Sequence, residues 1–80
     1  MNFVKLVGYI KFTDNDSIIN IITKNDNDNY ETIPCLVFKK LRGHYREGAV
    51  AGINGTLATK DDKIIVNAER ITILDSERID

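Results

Sequence analysis

The stretch Ala49-Val50-Ala51-Gly52-Ile53-Asn54-Gly55-Thr56-Leu57-Ala58-Thr59 admits two readings that give the chain different numbers of strands. Asn54-Gly55 is a strong hairpin signal, because both residue types tolerate the positive φ angles of a tight two-residue turn. Read so, the stretch splits into two short strands. Read as one strand, it keeps Val50, Gly52, Asn54 and Thr56 on one side and Ala51, Ile53, Gly55 and Leu57 on the other, with a bulge at Gly55. The alternation crosses the Asn-Gly pair without a break, and the single strand is preferred.

Outward from this stretch, Lys60-Asp61-Asp62-Lys63 is turn chemistry and Ile64 to Leu74 is a further strand. On the other side, Leu41 and Tyr45 lie four apart among charges, which predicts a short helix over 39–47, with Gly43 weakening it and Gly48 ending it. Ile33 to Phe38 reads as a strand whose Pro34, lacking a backbone donor, belongs at an edge or at the start of pairing. Ser17 to Lys24 is another strand, with Ile19 and Ile21 on one face and Ile18 and Ile22 on the other. Asn25 to Asn29 is the polar loop between these two. Asn2 to Phe12 alternates throughout: Val4, Leu6, Gly8, Ile10 and Phe12 face one way, and Phe3, Lys5, Val7, Tyr9 and Lys11 the other, with a bend expected at Gly8. Thr13-Asp14-Asn15-Asp16 is the turn that follows.

Composition narrows the class. Eighty residues allow one small domain, and 42% hydrophobic with 29% charged is ordinary for a globular chain. Apolar runs such as Ala49–Ile53 are far short of the ~20 residues that a membrane helix needs. Lys5, Tyr9 and Lys11 interrupt any secretory signal, and a lone cysteine makes no intrachain disulfide, so a reducing, cytoplasmic setting is expected. The net charge of −1 is uneven: −2 over residues 1–34, +4 over 35–60 and −3 over 61–80. A basic middle fits an anionic partner approached through one face, or simply a solvated surface.

Three strands, a short helix and two strands is the order of the OB-fold, an all-β, five-stranded barrel. The residues carry a closer likeness. Phe3-Val4-Lys5-Leu6-Val7-Gly8, Ile33-Pro34-Cys35-Leu36-Val37-Phe38-Lys39-Lys40, Tyr45-x-x-Gly48 with Ile53-x-Gly55-x-Leu57, and Val66-x-Ala68-x-x-Ile71-x-Ile73-Leu74 occur in the order of corresponding segments of the bacterial single-stranded DNA-binding proteins. The chain resembles that family in shortened form. It departs from it in having no tryptophan, Thr32 where a stacking aromatic is usual, an acidic loop at Asp26 and Asp28 in place of a basic finger, and no acidic tail ending in phenylalanine.

Single-strand binding needs cations for phosphates and flat rings for bases. Period two puts Thr32, Pro34, Leu36 and Phe38 on the outer face of their strand, with Lys39, Lys40, Arg42 and Arg46 following. Phe38 is therefore expected to stack a base, unless the helix or another subunit covers it. Tyr9, flanked by Lys5 and Lys11, is a second candidate, and Tyr30 beside the loop a third. Tyr45 pairs with Leu41 as core, while Phe3 and Phe12 serve the core or subunit contacts.

Other chemistry is not expected. Asp14-x-Asp16 and Asp26-x-Asp28 lack the glycine and glutamate of a calcium loop, and His44 with Cys35 is too little for zinc. There is no nucleophile turn or phosphate loop, so neither an enzyme nor a cofactor is expected.

The sequence thus predicts an OB-fold domain over residues 1–75 with one short helix between its third and fourth strands, and a polar tail at 76–80. The resemblance implies a single-stranded DNA-binding protein of little sequence preference, active in DNA replication, recombination or repair. The alternative is an OB-fold protein–protein module accessory to replication. A homodimer or homotetramer is expected, since Phe3, Val7, Ile18 and Ile22 face away from the interior. The Asn-, Ile-, Lys- and Asp-rich composition points to an AT-rich genome such as that of a phage or mobile element.

Overall fold

Stiff isoleucines and valines at alternate positions favour extended chain. The computed structural model describes residues 2–38 and 46–74. In them stand β1 (Val4–Phe12), β2 (Ile18–Lys24), β3 (Tyr30–Leu36), β4 (Val50–Lys60) and β5 (Lys63–Ile73). They form a closed barrel in the order β1-β2-β3-β5-β4, in which only β3 and β5 run parallel. This is the OB-fold topology.

Residues 50–60 form one strand, as the alternation predicts, but the extra residue lies on the neighbouring strand. Asn54 pairs with Arg70 and Gly55 with Ala68, so Glu69 of β5 is the residue left over. The bulge reverses which β5 positions face inward. Val66 and Ala68 are buried before it, and Ile71 and Ile73 pack on the same core after it. Gly55 sits where the backbones crowd together: a Cβ there would stand 2.0 Å from the Asn67 carbonyl oxygen.

β1 serves two partners. Val4–Tyr9 pairs with β4 and Tyr9–Phe12 with β2, so the strand passes from one side of the barrel to the other around Gly8. A Cβ on Gly8 would stand 2.3 Å from the Ile22 carbonyl oxygen, so only glycine permits this approach. Tyr9 is consequently in register with both Ile22 and Val50.

The interior sets large isoleucines (Ile10, Ile19, Ile21, Ile53) beside small alanines (Ala49, Ala51, Ala68), a mix of sizes that suits a narrow barrel. Cys35 is fully buried there, and burial pushes its thiol up to about 12. A thiol raised in the folded state favours folding fully below its ordinary pKa, and that contribution fades as pH rises toward 12. Cys35 is therefore expected to resist alkylation at pH 8 in the native protein and to react in urea. Stoichiometric labelling without denaturant would contradict this burial.

Side chains close the turns. Thr13 Oγ1 donates to the Ile18 carbonyl at 2.8 Å, and Asn15 Oδ1 accepts from the Ser17 amide at 2.8 Å. Asn25 organises the acidic loop, its Oδ1 accepting from the amides of Asn27 and Asn29 at 2.8 and 3.0 Å. Asp61 and Asp62 both have positive φ, 53° and 65°, as a two-residue hairpin turn requires.

β3 starts at Tyr30, three residues earlier than predicted, because the β2–β3 hairpin pairs down to Lys24–Tyr30. Only Cys35 and Leu36 of β3 pair with β5, so Pro34 sits where that edge is still open. Among the described residues there is no helix. Of the segment 39–47 predicted as one, 39–45 lie outside the described residues. Arg46 and Glu47 are not helical, since the Ala49 amide donates to the Arg46 carbonyl at 3.2 Å and closes a turn. The tail at 76–80 also lies outside them.

Candidate nucleic-acid interface

Outward positions of four strands meet in an open groove of about 410 Å³, lined by Val7, Gly8, Tyr9, Ile22, Thr23, Lys24, Tyr30 and Val50. Register explains the convergence. Thr32, Ile22, Tyr9 and Val50 form one row across β3, β2, β1 and β4, and Tyr30 with Lys24 begins the adjacent row. With strands about 4.8 Å apart and residues about 3.3 Å apart, the α-carbons of Tyr9 and Tyr30 lie about 12 Å from each other. Both rings are open to solvent, at 50% and 64% exposure, with apolar Ile22 between them.

Lys24 supplies the charge. Its Nζ lies 5.7 Å from the Tyr30 ring centroid, inside cation–π range, and 3.8 Å from Asp28 Oδ1. An ion pair this exposed contributes at most ~1 kcal/mol, so a phosphate can compete for the lysine. Glu31 is occupied by the Asn25 side-chain amide at 3.1 Å. Lys5 and Lys11 share the outer face of β1 with Val7 and Tyr9, and neither makes an ion pair among the described residues.

The other predicted residues are placed elsewhere. Phe38 is 62% exposed in a separate depression with Ser17, Leu36 and Asn67. It lies two residues beyond the end of β3, the strand that Tyr30 begins. Arg46 is exposed beside the start of β4. Lys39, Lys40 and Arg42, expected behind Phe38, lie outside the described residues, as do Leu41, His44 and Tyr45. Phe12 packs against the core, whereas Phe3 is exposed.

Lys24 and Val50 line the groove although neither is a binding candidate on sequence alone, and Ile22, expected at a subunit contact, lines it too. A signal for Lys24 was present: Lys24 and Tyr30 flank a five-residue polar loop, so any hairpin closed by that loop pairs them. Among the described residues no three histidine, cysteine or acidic side chains gather in a way that could hold a metal, and no helix is long and apolar enough to cross a membrane.

No protein-family model matches the chain, and no curated protein matches it. Solved structures do match. One is a chain of the S. pombe Stn1–Ten1 complex, similar at a TM-score of 0.58 with 12% sequence identity. The match covers 98% of this chain and 62% of that one, so this chain spans less than two thirds of its neighbour's length. At that identity the likeness establishes the OB-fold barrel.

Proposed function

We propose that this protein binds single-stranded nucleic acid, DNA in the first instance, with little sequence preference, as a binding module and not an enzyme. The observation that carries the reading is the groove in which Tyr9 and Tyr30 offer two solvent-facing rings on either side of Ile22, with Lys24 against one of them. Every base has a π-face, so stacking tolerates any sequence, and Lys24 meets the backbone. Work on single strands in replication, recombination or repair follows as the setting, in the cytoplasm of a cell or of a phage-infected host. The resemblance to bacterial single-stranded DNA-binding proteins and the OB-fold of the barrel support this reading. A labelled oligothymidylate should be retarded by the protein in a gel, and raised salt should abolish the shift. A salt-independent shift, or none, would sink it.

The acidic loop sets the strength of binding. Asp28→Asn frees Lys24 from its carboxylate, so binding is expected to tighten by up to about fivefold at low salt, corresponding to at most ~1 kcal/mol, and to converge with the parent at high salt. Unchanged low-salt affinity would show that Lys24 is not a phosphate contact.

A second reading rests on the apolar part of the same groove. Val7, Ile22 and Val50 are chemistry for a protein surface, and the neighbouring structure is a complex of two proteins. On that reading the face docks a replication protein or a second copy of the chain. Light scattering at high micromolar concentration separates them: self-association that oligothymidylate does not disturb favours docking elsewhere, and self-association that it dissolves places both on one face.

A further inference from the structure

The tyrosine groove does not end at β1. Val7 also lines a second depression of about 200 Å³ on the far side of that strand, floored by Gly52 and bordered by Lys5, Asn54, Thr72 and Leu74. The register builds this shelf in two rows. Lys5, Asn54 and Arg70 stand side by side across β1, β4 and β5, and Val7, Gly52 and Thr72 form the next row. Gly52 leaves the second row open: a Cβ there would meet nothing nearer than 3.8 Å. Neither Lys5 nor Arg70 has an ion-pair partner among the described residues, and Glu69, next to Arg70 in sequence, is the residue left over at the bulge.

We propose that this shelf is a second subsite for the same nucleic-acid strand, one that holds backbone and not bases. It carries no ring, so nothing stacks there. Lys5, the Asn54 amide and the Thr72 hydroxyl line its open floor, and Arg70 stands next in the row beyond Asn54, an arrangement that suits phosphodiester oxygens. A strand stacked on Tyr30 and Tyr9 crosses β1 at Val7 and lays its phosphates over Gly52 toward Lys5, Asn54 and Arg70. The inference rests on the single-strand reading above and extends it from one face to a path around the barrel.

The test uses oligothymidylates of two lengths, about four and about twelve nucleotides, within the range of OB-fold site sizes. In the double variant Lys5→Gln/Arg70→Gln, the salt slope for the long oligonucleotide is expected to fall by about 1.4, at about 0.7 per lost phosphate contact, with the short one unaffected. Gly52→Val fills the shelf and should weaken the long oligonucleotide selectively. Lys60→Gln/Lys63→Gln removes the same charge at the β4–β5 turn and should leave the slope unchanged. Equal slopes in the parent and Lys5→Gln/Arg70→Gln overturn the shelf, as does an equal fall in both double variants. If the parent binds the short oligonucleotide but gains nothing from the longer one, the shelf fails while the tyrosine groove stands. If the parent binds neither, both fail.

Discussion

Tyr9→Ala/Tyr30→Ala is expected to weaken oligothymidylate binding by about thirtyfold or more, with the barrel intact. Stacking a base on a ring is worth about 1–3 kcal/mol, and the groove holds two such rings on separate strands. Both side chains project into solvent, so removing them opens no cavity in the core. Because rings release no counterions, the salt dependence should change little. The single variants divide the effect: Tyr30→Ala also strips Lys24 of its cation–π neighbour and should carry the larger share of the loss. Parent-like affinity in a folded double variant would remove the groove from the binding site.

The second large effect is on stability. Gly55→Ala is expected to cost about 3 kcal/mol or more, because its Cβ would have to displace the Asn67 backbone against which β4 and β5 are bulged. For a domain of this size that lowers the melting temperature by about 12 °C or more. Gly52→Ala, three positions earlier on the opposite face of β4, is the control: its Cβ has room, and replacing a strand glycine should be neutral or stabilising by up to about 1 kcal/mol. If the two alanine variants melt together, the close approach at Gly55 is not what holds the bulge.

The strands were legible because each has one buried face, and burial imposes period two on Val4–Phe12 and on Val50–Leu57. The bulge was legible in its neighbourhood but was assigned to the wrong strand. Gly55 drew attention as the flexible residue, while Val66-x-Ala68-x-x-Ile71-x-Ile73 records the interruption in its own spacing. Glycine marks where two backbones approach, and the extra residue sits opposite. The dual pairing of β1 could not be read, since it depends on where the barrel closes, which is a property of the whole chain.

The candidate site was half legible. Tyr9 and Tyr30 were singled out separately, and nothing local says that Ile22 lies between them. Their proximity follows from two hairpin registers taken together. Phe38 carries more weight on sequence because basic residues follow it, yet it lies past the end of β3 opposite to the end that Tyr30 begins. The shelf at Lys5, Asn54 and Arg70 is not legible for the same reason: its row depends on the β1–β4 register and on the β4–β5 register past the bulge.

With no tryptophan and three tyrosines, two of them in the groove, the protein reports on its own candidate site through tyrosine fluorescence. A titration with oligothymidylate should quench most of that emission in a saturable manner. The midpoint should shift to weaker binding as salt rises, with a slope of about 0.7 per phosphate contact. Duplex DNA of equal length should quench far less, because its bases are already stacked. Saturable quenching that weakens with salt is the predicted result. Emission unchanged by single-stranded DNA at low salt would contradict the account.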